Sequence, residues 1–293
     1  MTLALLPNRA VIRVGGPEAQ HFLQNLVTSD IDSVSDTSGG YGALLTPQGK
    51  IQFDFLIYKS GGTYLIDTPR ETASDLLKRL TFYRLRSKVD LELADDTLAV
   101  LALWGSDKDV ASALVSVADP RLEDLGRRIV GPADAIAEEL GTAPEGPEAY
   151  HAHRIALGVP EGLEDYAYSE IFPHDAGLDQ LNGVSFSKGC YVGQEVVSRV
   201  HHRGTARKRF VLVESAENLP AMGTDVTADG KSIGTSGSST ALGDVHKGLA
   251  LLRLDKAKAA LDNGTPLFCG AAPVSVSLPA WAGFGWPQDA AAE

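Results

Sequence analysis

Polar and apolar positions set two rhythms in this chain, a two-residue alternation and a three-to-four-residue spacing, with Gly and Pro marking the changes. Residues 10–14 (AVIRV) read as a short strand, and Gly15-Gly16-Pro17 turns the chain into a helix opening near Pro17. Proline suits that first helical position, because its φ is already helical and its missing N–H would have no partner there. Ala19, Phe22, Leu23 and Leu26 continue at helical spacing. Residues 41–46 (YGALLT) and 51–58 (IQFDFLIY) predict two strands joined by the turn Pro47-Gln48-Gly49-Lys50, and 63–67 (TYLID) extends the sheet. A helix follows over 69–80, then strands over 88–93 and 97–103. Strands interleaved with helices in this order imply an α+β arrangement.

Further helices are predicted over 105–117, 130–139 and 150–157, the last with His151 and Arg154 on a polar face and its end near Gly158 and Pro160. From about 206 the texture changes. Short β-like runs such as FVLVES, KGLALLRL, TPLFCG and PVSVSL are separated by Gly, Ser, Asn and Pro, the pattern of a small antiparallel barrel or sandwich. The change places a boundary near 205, with an α+β region over 1–205 and a β domain over 206–293.

Composition adds exclusions. With 44% hydrophobic and 22% charged residues among 293, a sizeable core is expected. No apolar run approaches the roughly 18 residues a spanning helix needs, so no membrane segment is expected. The start MTLALLPNRAVIRV has no basic stretch before its short apolar run, which breaks at Pro7, and reads as no signal peptide. Two cysteines make no disulfide framework; reduced thiols in a cytoplasmic protein are the simplest reading. A net charge of −12 argues against a protein that coats nucleic acid, so RNA binding is not expected. Against that background residues 196–213 carry Arg199, Arg203, Arg207, Lys208 and Arg209 with no acid. Such a strip suits either an anionic ligand or a solvated strand or linker.

The run Lys188-Gly189-Cys190-Tyr191-Val192-Gly193-Gln194-Glu195 packs a thiol, an amine, a phenol, an amide and a carboxylate into eight positions. Glycines permit close approaches, so Lys188, Tyr191, Gln194 and Glu195 can converge on one ligand. Cys190, beside Lys188 and ahead of Arg199, sits in positive company that favours a reactive thiolate; a buried, inert thiol in a tight turn is the competing reading. Asp54 stands in an apolar strand. It either meets a ligand N–H, or accepts a proton, or faces solvent on the open side of the sheet. Arg154 offers a planar fork for a ligand carboxylate, or a salt bridge to Glu161 or Glu164. Asp175 lies in a loop, as a site residue or a helix N-cap. His151, His153, His201 and His202 lack metal-site spacing, so no metal is expected. There is no P-loop, Gly-x-Gly-x-x-Gly or nucleophile elbow.

These residues resemble a known family. The segment Lys188–Glu195 is similar to the Lys-Gly-Cys-Tyr/Phe-x-Gly-Gln-Glu signature of the YgfZ family, folate-binding proteins of iron–sulfur cluster assembly and repair. Phe22-Leu23-Gln24, Thr28-x-Asp30-Ile31, Gly49-Lys50-Ile51 leading to Asp54, Asp119-Pro120-Arg121 with Arg128, and Arg154 with Gly158-Val159-Pro160 extend the likeness over most of the chain. The resemblance implies the fold of the glycine cleavage T-protein: two α+β lobes and a C-terminal antiparallel β-barrel around a central folate cavity. It implies tetrahydrofolate, or a one-carbon derivative, as the cofactor, met by Asp54 and Arg154. It also implies Cys190 as the functional side chain, held ionised by Lys188 and Arg199, and iron–sulfur client or assembly proteins as partners. Arg154 and the 199–209 strip would receive the folate's glutamate tail. The alternative is a folate-dependent one-carbon transferase, an aminomethyltransferase or demethylase acting on a small amine, with Asp54 as proton acceptor. Two departures weigh toward the YgfZ branch: the T-protein's Gly-Tyr-Thr-Gly-Glu stretch is absent, and Phe53 stands where the first residue of its Asp-Asp pair would be.

Overall fold

A computed structural model describes residues 1–95, 97–204 and 206–287; Thr205, where the first expected region ends, and residues 288–293 lie outside the described residues. The chain folds as two compact units, Met1–Tyr150 with Leu181–Ser198, and His151–Gln180 with Arg199–Glu293.

The first unit contains two antiparallel sheets. Strands β1 (Thr2–Leu5), β2 (Arg9–Gly15), β3 (Gly40–Leu45), β4 (Ile51–Ser60), β5 (Thr63–Pro69), β6 (Asp90–Leu93), β7 (Ala99–Trp104), β8 (Val115–Ala118) and β9 (Arg127–Gly131) are accompanied by helices α1 (Ala19–Gln24), α2 (Arg70–Arg84) and α3 (Ala133–Leu140). One sheet runs β3-β4-β5-β2-β6, the other β1-β7-β9-β8. Helix α2 buries Ala73, Leu76 and Leu80, three positions on one helical stripe, and continues past the expected end until Leu85 breaks it. The expected helix over 105–117 does not form. Val115 and Val117 are buried to either side of Ser116, so the segment alternates as a strand and pairs with β9. Upstream, the Glu139 carboxylate accepts the amide N–H groups of Ala111 and Ser112, which holds that turn outside a helix. Residues 130–131 complete β9 and the helix starts only at Ala133.

Helices α4 (Pro147–Ala156) and α5 (Gln194–Arg203) each run across the boundary of a unit. In the second unit β10 (Lys208–Ser215), β11 (Asp225–Ala228), β12 (Lys231–Leu242), β13 (Val245–Arg253), β14 (Leu267–Cys269) and β15 (Ala272–Ser277) close a barrel in the order β10-β13-β12-β11-β14-β15. Of the two expected β architectures, the barrel forms. Val211, Val213, Val226, Ala250, Leu252 and Leu267 fill it, and α6 (Leu254–Asp262) covers it with Leu254, Ala257 and Ala260. Strand β12 bends through a bulge between Ser236 and Ser239, within its run of small residues. No helix among the described residues is long and apolar enough to cross a membrane.

A chain of buried charges ties the two sheets of the first unit. From β2, Arg9 donates to Asp67 on β5 at 2.6 Å, and the Tyr58 hydroxyl on β4 donates to the same carboxylate at 3.2 Å. Arg128 on β9 is 3.9 Å from Asp67 and 3.3 Å from Asp119, and donates to the Tyr150 hydroxyl at 2.7 Å. Arg121 grips Asp119 through two hydrogen bonds of 2.9 and 2.7 Å. Burial pushes the Asp119 carboxyl up, but Arg121 and Arg128 outweigh it and hold the group below its ordinary range. Removing one member of a buried ionic set leaves its partners uncompensated. Arg128→Met is therefore expected to cost about 3–5 kcal/mol of unfolding free energy, read from the urea midpoint. Arg128→Lys should not restore it, because an ammonium cannot span two carboxylates and a phenol as a planar fork does.

Candidate functional site

The signature turn is seated by two glycines that meet. Gly49 (φ +82°) closes the β3–β4 turn, and Gly193 (φ +80°) lies against it. A Cβ on Gly193 would stand 2.7 Å from the Thr46 carbonyl oxygen and 3.1 Å from the Gly49 Cα; one on Gly49 would stand 2.9 Å from the Val196 Cβ. Both positions require a positive φ and a missing side chain, so the turn can approach the hairpin only with glycine at each.

The other end of the turn is held by Lys188. Its half-buried Nζ donates to the carbonyl oxygens of Val27 at 2.9 Å and Ser29 at 2.6 Å, and lies 5.6 Å from the centre of the Tyr191 ring. Burial lowers this amine to about 8, against a smaller opposing pull from Asp30 and Asp32. A neutral amine has two N–H groups, which the two carbonyls occupy, leaving its lone pair over. Tyr191 is buried, its hydroxyl has no hydrogen-bond partner among the described residues, and burial pushes it up to about 12. Between these anchors Cys190 is exposed, whereas the second cysteine, Cys269, is buried in the barrel. The buried, inert reading belongs to Cys269. Gln194 opens α5, and Glu195 sits exposed in its first turn, where a carboxylate faces the positive end of the helix dipole.

Asp54 is 5% exposed, which rules out the open-face reading. Both faces of β4 are covered, and Oδ2 of Asp54 accepts from the Tyr41 hydroxyl on β3 at 3.1 Å. Tyr41 in turn lines a cavity of about 360 Å³ with Ser29, Asp30, Gly40, Pro120, Asn182 and Ser185. Ser29 and Ser185 also touch Lys188, the first through its carbonyl and the second through a hydroxyl that accepts the Lys188 amide N–H. Asn182, at φ +59°, donates to the Pro120 carbonyl and fixes that wall. Ser29 Oγ is buried with no partner among the described residues. The first unit thus gathers Asp54, through Tyr41, and Lys188, through Ser29 and Ser185, around one polar hollow. The guanidinium of Arg121 lies 5.8 Å from the Tyr41 ring centre, which joins the hollow to the buried charges.

Arg154, Asp175 and Arg199 belong to the second unit. Arg154 is fully buried rather than on a polar helix face. It donates to Asp165 at 2.6 Å and to the Ser238 hydroxyl at 3.0 Å, and its Nε is 3.4 Å from Glu161. Of its two readings the ion pair is what the geometry displays, with Asp165, unforeseen, as the shorter partner. Asp175 caps no helix: residues 173–182 are successive turns, and its carboxylate accepts the Phe172 N–H at 3.0 Å while burial pushes it up. The basic run does not form one strip. Arg199 and Arg203 are exposed on α5, whereas Arg209 enters β10 and is buried in a two-point pair with Asp179 at 2.6 and 3.0 Å.

Sequence reasoning missed Tyr41, Ser29 and Asp165. Ser29 lay inside the quoted Thr28-x-Asp30 element, and its place in the hollow depends on a pairing with residues 183–185 across the chain, where Thr28 donates to the Gly183 carbonyl and accepts the Ala43 N–H.

Comparison with known proteins gives two domain matches: the GCVT N-terminal domain over residues 8–126 and the CAF17 C-terminal beta-barrel domain over residues 207–284. The chain is 32% identical over 288 residues to the mitochondrial iron-sulfur cluster assembly factor IBA57 of Homo sapiens, covering 87% of this chain and 78% of that protein. It is 34% identical over 230 residues to the IBA57 homolog of Neurospora crassa, covering 71% of this chain and 52% of the relative, so it spans about half of that longer protein. The crystal structure of the glycine cleavage system aminomethyltransferase T of Bartonella henselae superposes with a TM-score of 0.72 at 16% identity, over 94% of this chain and 84% of that one. That likeness establishes a T-protein-like fold with a closed six-stranded C-terminal barrel.

Lys188 carries a measurable consequence. Its 13Cε resonance is expected to titrate with a midpoint near 8, from the burial cited, while exposed lysines hold their protons to about 10.4. Between pH 8 and 10.5 the unfolded chain keeps the proton that the folded one has released. Stability should therefore gain from this group as pH rises through that window. A midpoint above 10 would contradict the anchoring described.

Proposed function

The chain belongs to the family of the IBA57 iron–sulfur cluster assembly factors, and from that membership we propose that it supports assembly or repair of iron–sulfur clusters, with tetrahydrofolate as cofactor and Cys190 as its reactive group. One observation carries the reading: a lone exposed thiol stands on a turn held at both ends, by Lys188 on the 27–29 carbonyls and by Gly193 on Gly49. A turn fixed in this way keeps the sulfur in one place, ready to meet an incoming metal cluster or protein, without burying it.

The hollow beside it fits a pterin. A pterin edge presents a row of N–H donors and ring-nitrogen acceptors. Tyr41, whose hydroxyl is held by the Asp54 carboxylate, and the unpartnered Ser29 hydroxyl face the hollow where such groups would bind. Tetrahydrofolate, when bound, supplies a one-carbon carrier and a two-electron reductant. The chain's own contribution is to orient it with Asp54, Tyr41 and Ser29. Cys190, as thiolate, ligates iron of the cluster, which is the substrate; the Lys188 ammonium, present below pH 8, adds positive charge to the same turn.

Titration with tetrahydrofolate, followed by calorimetry, separates the two roles. Asp54→Ala is expected to raise Kd about 10-fold or more, because the Tyr41 hydroxyl that lines the hollow loses its buried charged acceptor, a hydrogen bond worth about 1.5–3 kcal/mol. Cys190→Ala should leave Kd within a factor of two. In cells that depend on this chain, Cys190→Ala should abolish the activity of iron–sulfur enzymes while the protein accumulates normally. Full complementation by that variant would remove Cys190 from the reading, and an unchanged Kd for Asp54→Ala would remove the folate site.

A further inference from the structure

Among the described residues the two large apolar side chains most open to solvent stand together: Phe82, 68% exposed in the last turn of α2, and Leu85, 86% exposed just after it. The Phe82 ring meets Tyr83 edge-on at 5.8 Å. Around them stand Lys78, Arg79, Arg84, Arg86 and Lys88, of which Lys78 pairs with Asp75 at 3.0 Å, against Glu18 on the groove wall. Within a chain of net charge −12 this is a local reversal of sign around an apolar centre.

Leu85 is also strained. It holds φ 47°, ψ −107°, a conformation that glycine adopts freely and a leucine does not. The loop that imposes it is firmly tied. Ser87 N–H donates to the Arg84 carbonyl at 2.8 Å, Lys88 N–H to the Glu18 carboxylate at 3.2 Å, and Glu18 N–H to the Lys88 carbonyl at 3.3 Å. Gly16 leaves room for that carbonyl, which a Cβ there would meet at 2.5 Å. The chain thus spends a strained position on displaying an aliphatic side chain to water, where neither packing nor backbone geometry favours leucine. Strain held by its surroundings and paired with exposure is the mark of a surface kept for contact. Beside it runs an open groove of about 670 Å³ lined by Glu18, Leu85, Arg86 and Ser87.

We propose that the α2 end, with Phe82 and Leu85 as anchors and Arg86 and Lys88 as rim, docks a folded partner protein that offers an apolar pocket edged by Asp and Glu. Charge decides the occupant. A second copy joined through the same patch would set the rim cations Arg86 and Lys88 against their own copies. An anionic bilayer is an extended plane and would meet the chain's net negative charge as well as the patch. A compact acidic site on a protein need match only the patch itself, because screening confines the interaction to about 8 Å at physiological salt. Apolar anchors inside a charged rim are the ordinary anatomy of such an interface.

The test places the photo-crosslinker p-benzoylphenylalanine at position 85 of the full chain, and at position 242 as a barrel control, in cells that produce it. Irradiation is expected to give one discrete adduct from position 85, with the linked peptide of the partner rich in Asp and Glu. Arg86→Glu with Lys88→Glu should lower its yield at least five-fold. Unlabelled wild-type chain should compete for the purified partner, and Leu85→Gly with Phe82→Ser should not, although its melting temperature should equal or exceed that of wild type. An adduct of two copies of this chain, co-sedimentation with phosphatidylglycerol vesicles that the charge reversals abolish, a yield indifferent to those reversals, or no adduct from position 85 would each overturn the proposal. None of these outcomes bears on Cys190 or on folate affinity, so this surface stands or falls separately from the reading above.

Discussion

Three arginines and three aspartates enclosed in the first unit form the constraint on which the rest of that unit depends. Arg9, Arg128 and Arg121 alternate with Asp67 and Asp119, and the series ends at Asp54 through the phenol of Tyr41. Arg9 ties β2 to β5 through Asp67, and Arg128 on β9 reaches Asp67, Asp119 and Tyr150, so neither sheet can slip past the other without stranding a charge. The hydrophobic faces of the two sheets would tolerate many packings; a buried ionic set with planar forks tolerates few. It also fixes the phenols. Tyr150 receives from both Arg121 and Arg128, and Tyr41 is spanned by the Arg121 guanidinium on one side and Asp54 on the other. The polar hollow thereby inherits its geometry from the core rather than from flexible loops.

The second unit uses the same device. Arg154 joins helix α4 to Asp165 and to the hydroxyl of Ser238 in β12, and Asp165 also accepts from the Ser238 and Glu161 amides. Arg209 joins β10 to Asp179 in a two-point contact, with the Phe284 ring 4.6 Å from its guanidinium carbon. Arginines that look like ligand clamps in sequence are here the fasteners of the irregular stretch 157–180 onto helix α4 and the barrel. That stretch has little regular structure of its own, so its backbone groups and direction must be secured by side chains.

What was legible in sequence follows from which interactions are local. The α+β order, the barrel, the β3–β4 hairpin and helix α2 rest on near-neighbour patterning and turn chemistry, and their residues announce them. The 105–117 segment failed because Val110, Ala113, Leu114 and Val117 fall at helical spacing while Val115 and Val117 also alternate about Ser116; pairing with β9 and the reach of Glu139 decide it, and both are distant in sequence. Helices α5 and α6 were hidden for opposite reasons: α5 looked like a basic strip because its charges were read without a period, and α6 lies inside a run of strands. The chemistry of Cys190, Lys188 and Asp54 was visible as residue types. Their environment was not, because the Lys188 acceptors are backbone carbonyls, which no side-chain pattern reveals, and the Asp54 partner is a tyrosine on the next strand.

The eight-residue signature can then be understood position by position as a mechanical part as well as a chemical one. Gly193 exists for Gly49, since neither can gain a Cβ while the turn rests on the hairpin. Lys188 exists for the carbonyls of Val27 and Ser29, and burial of its amine, which lies 5.6 Å from the Tyr191 ring centre, lowers its affinity for the proton. Between the two anchors the Cys190 thiol faces solvent and serves neither of them. Under the proposed function its duty therefore lies outside the molecule.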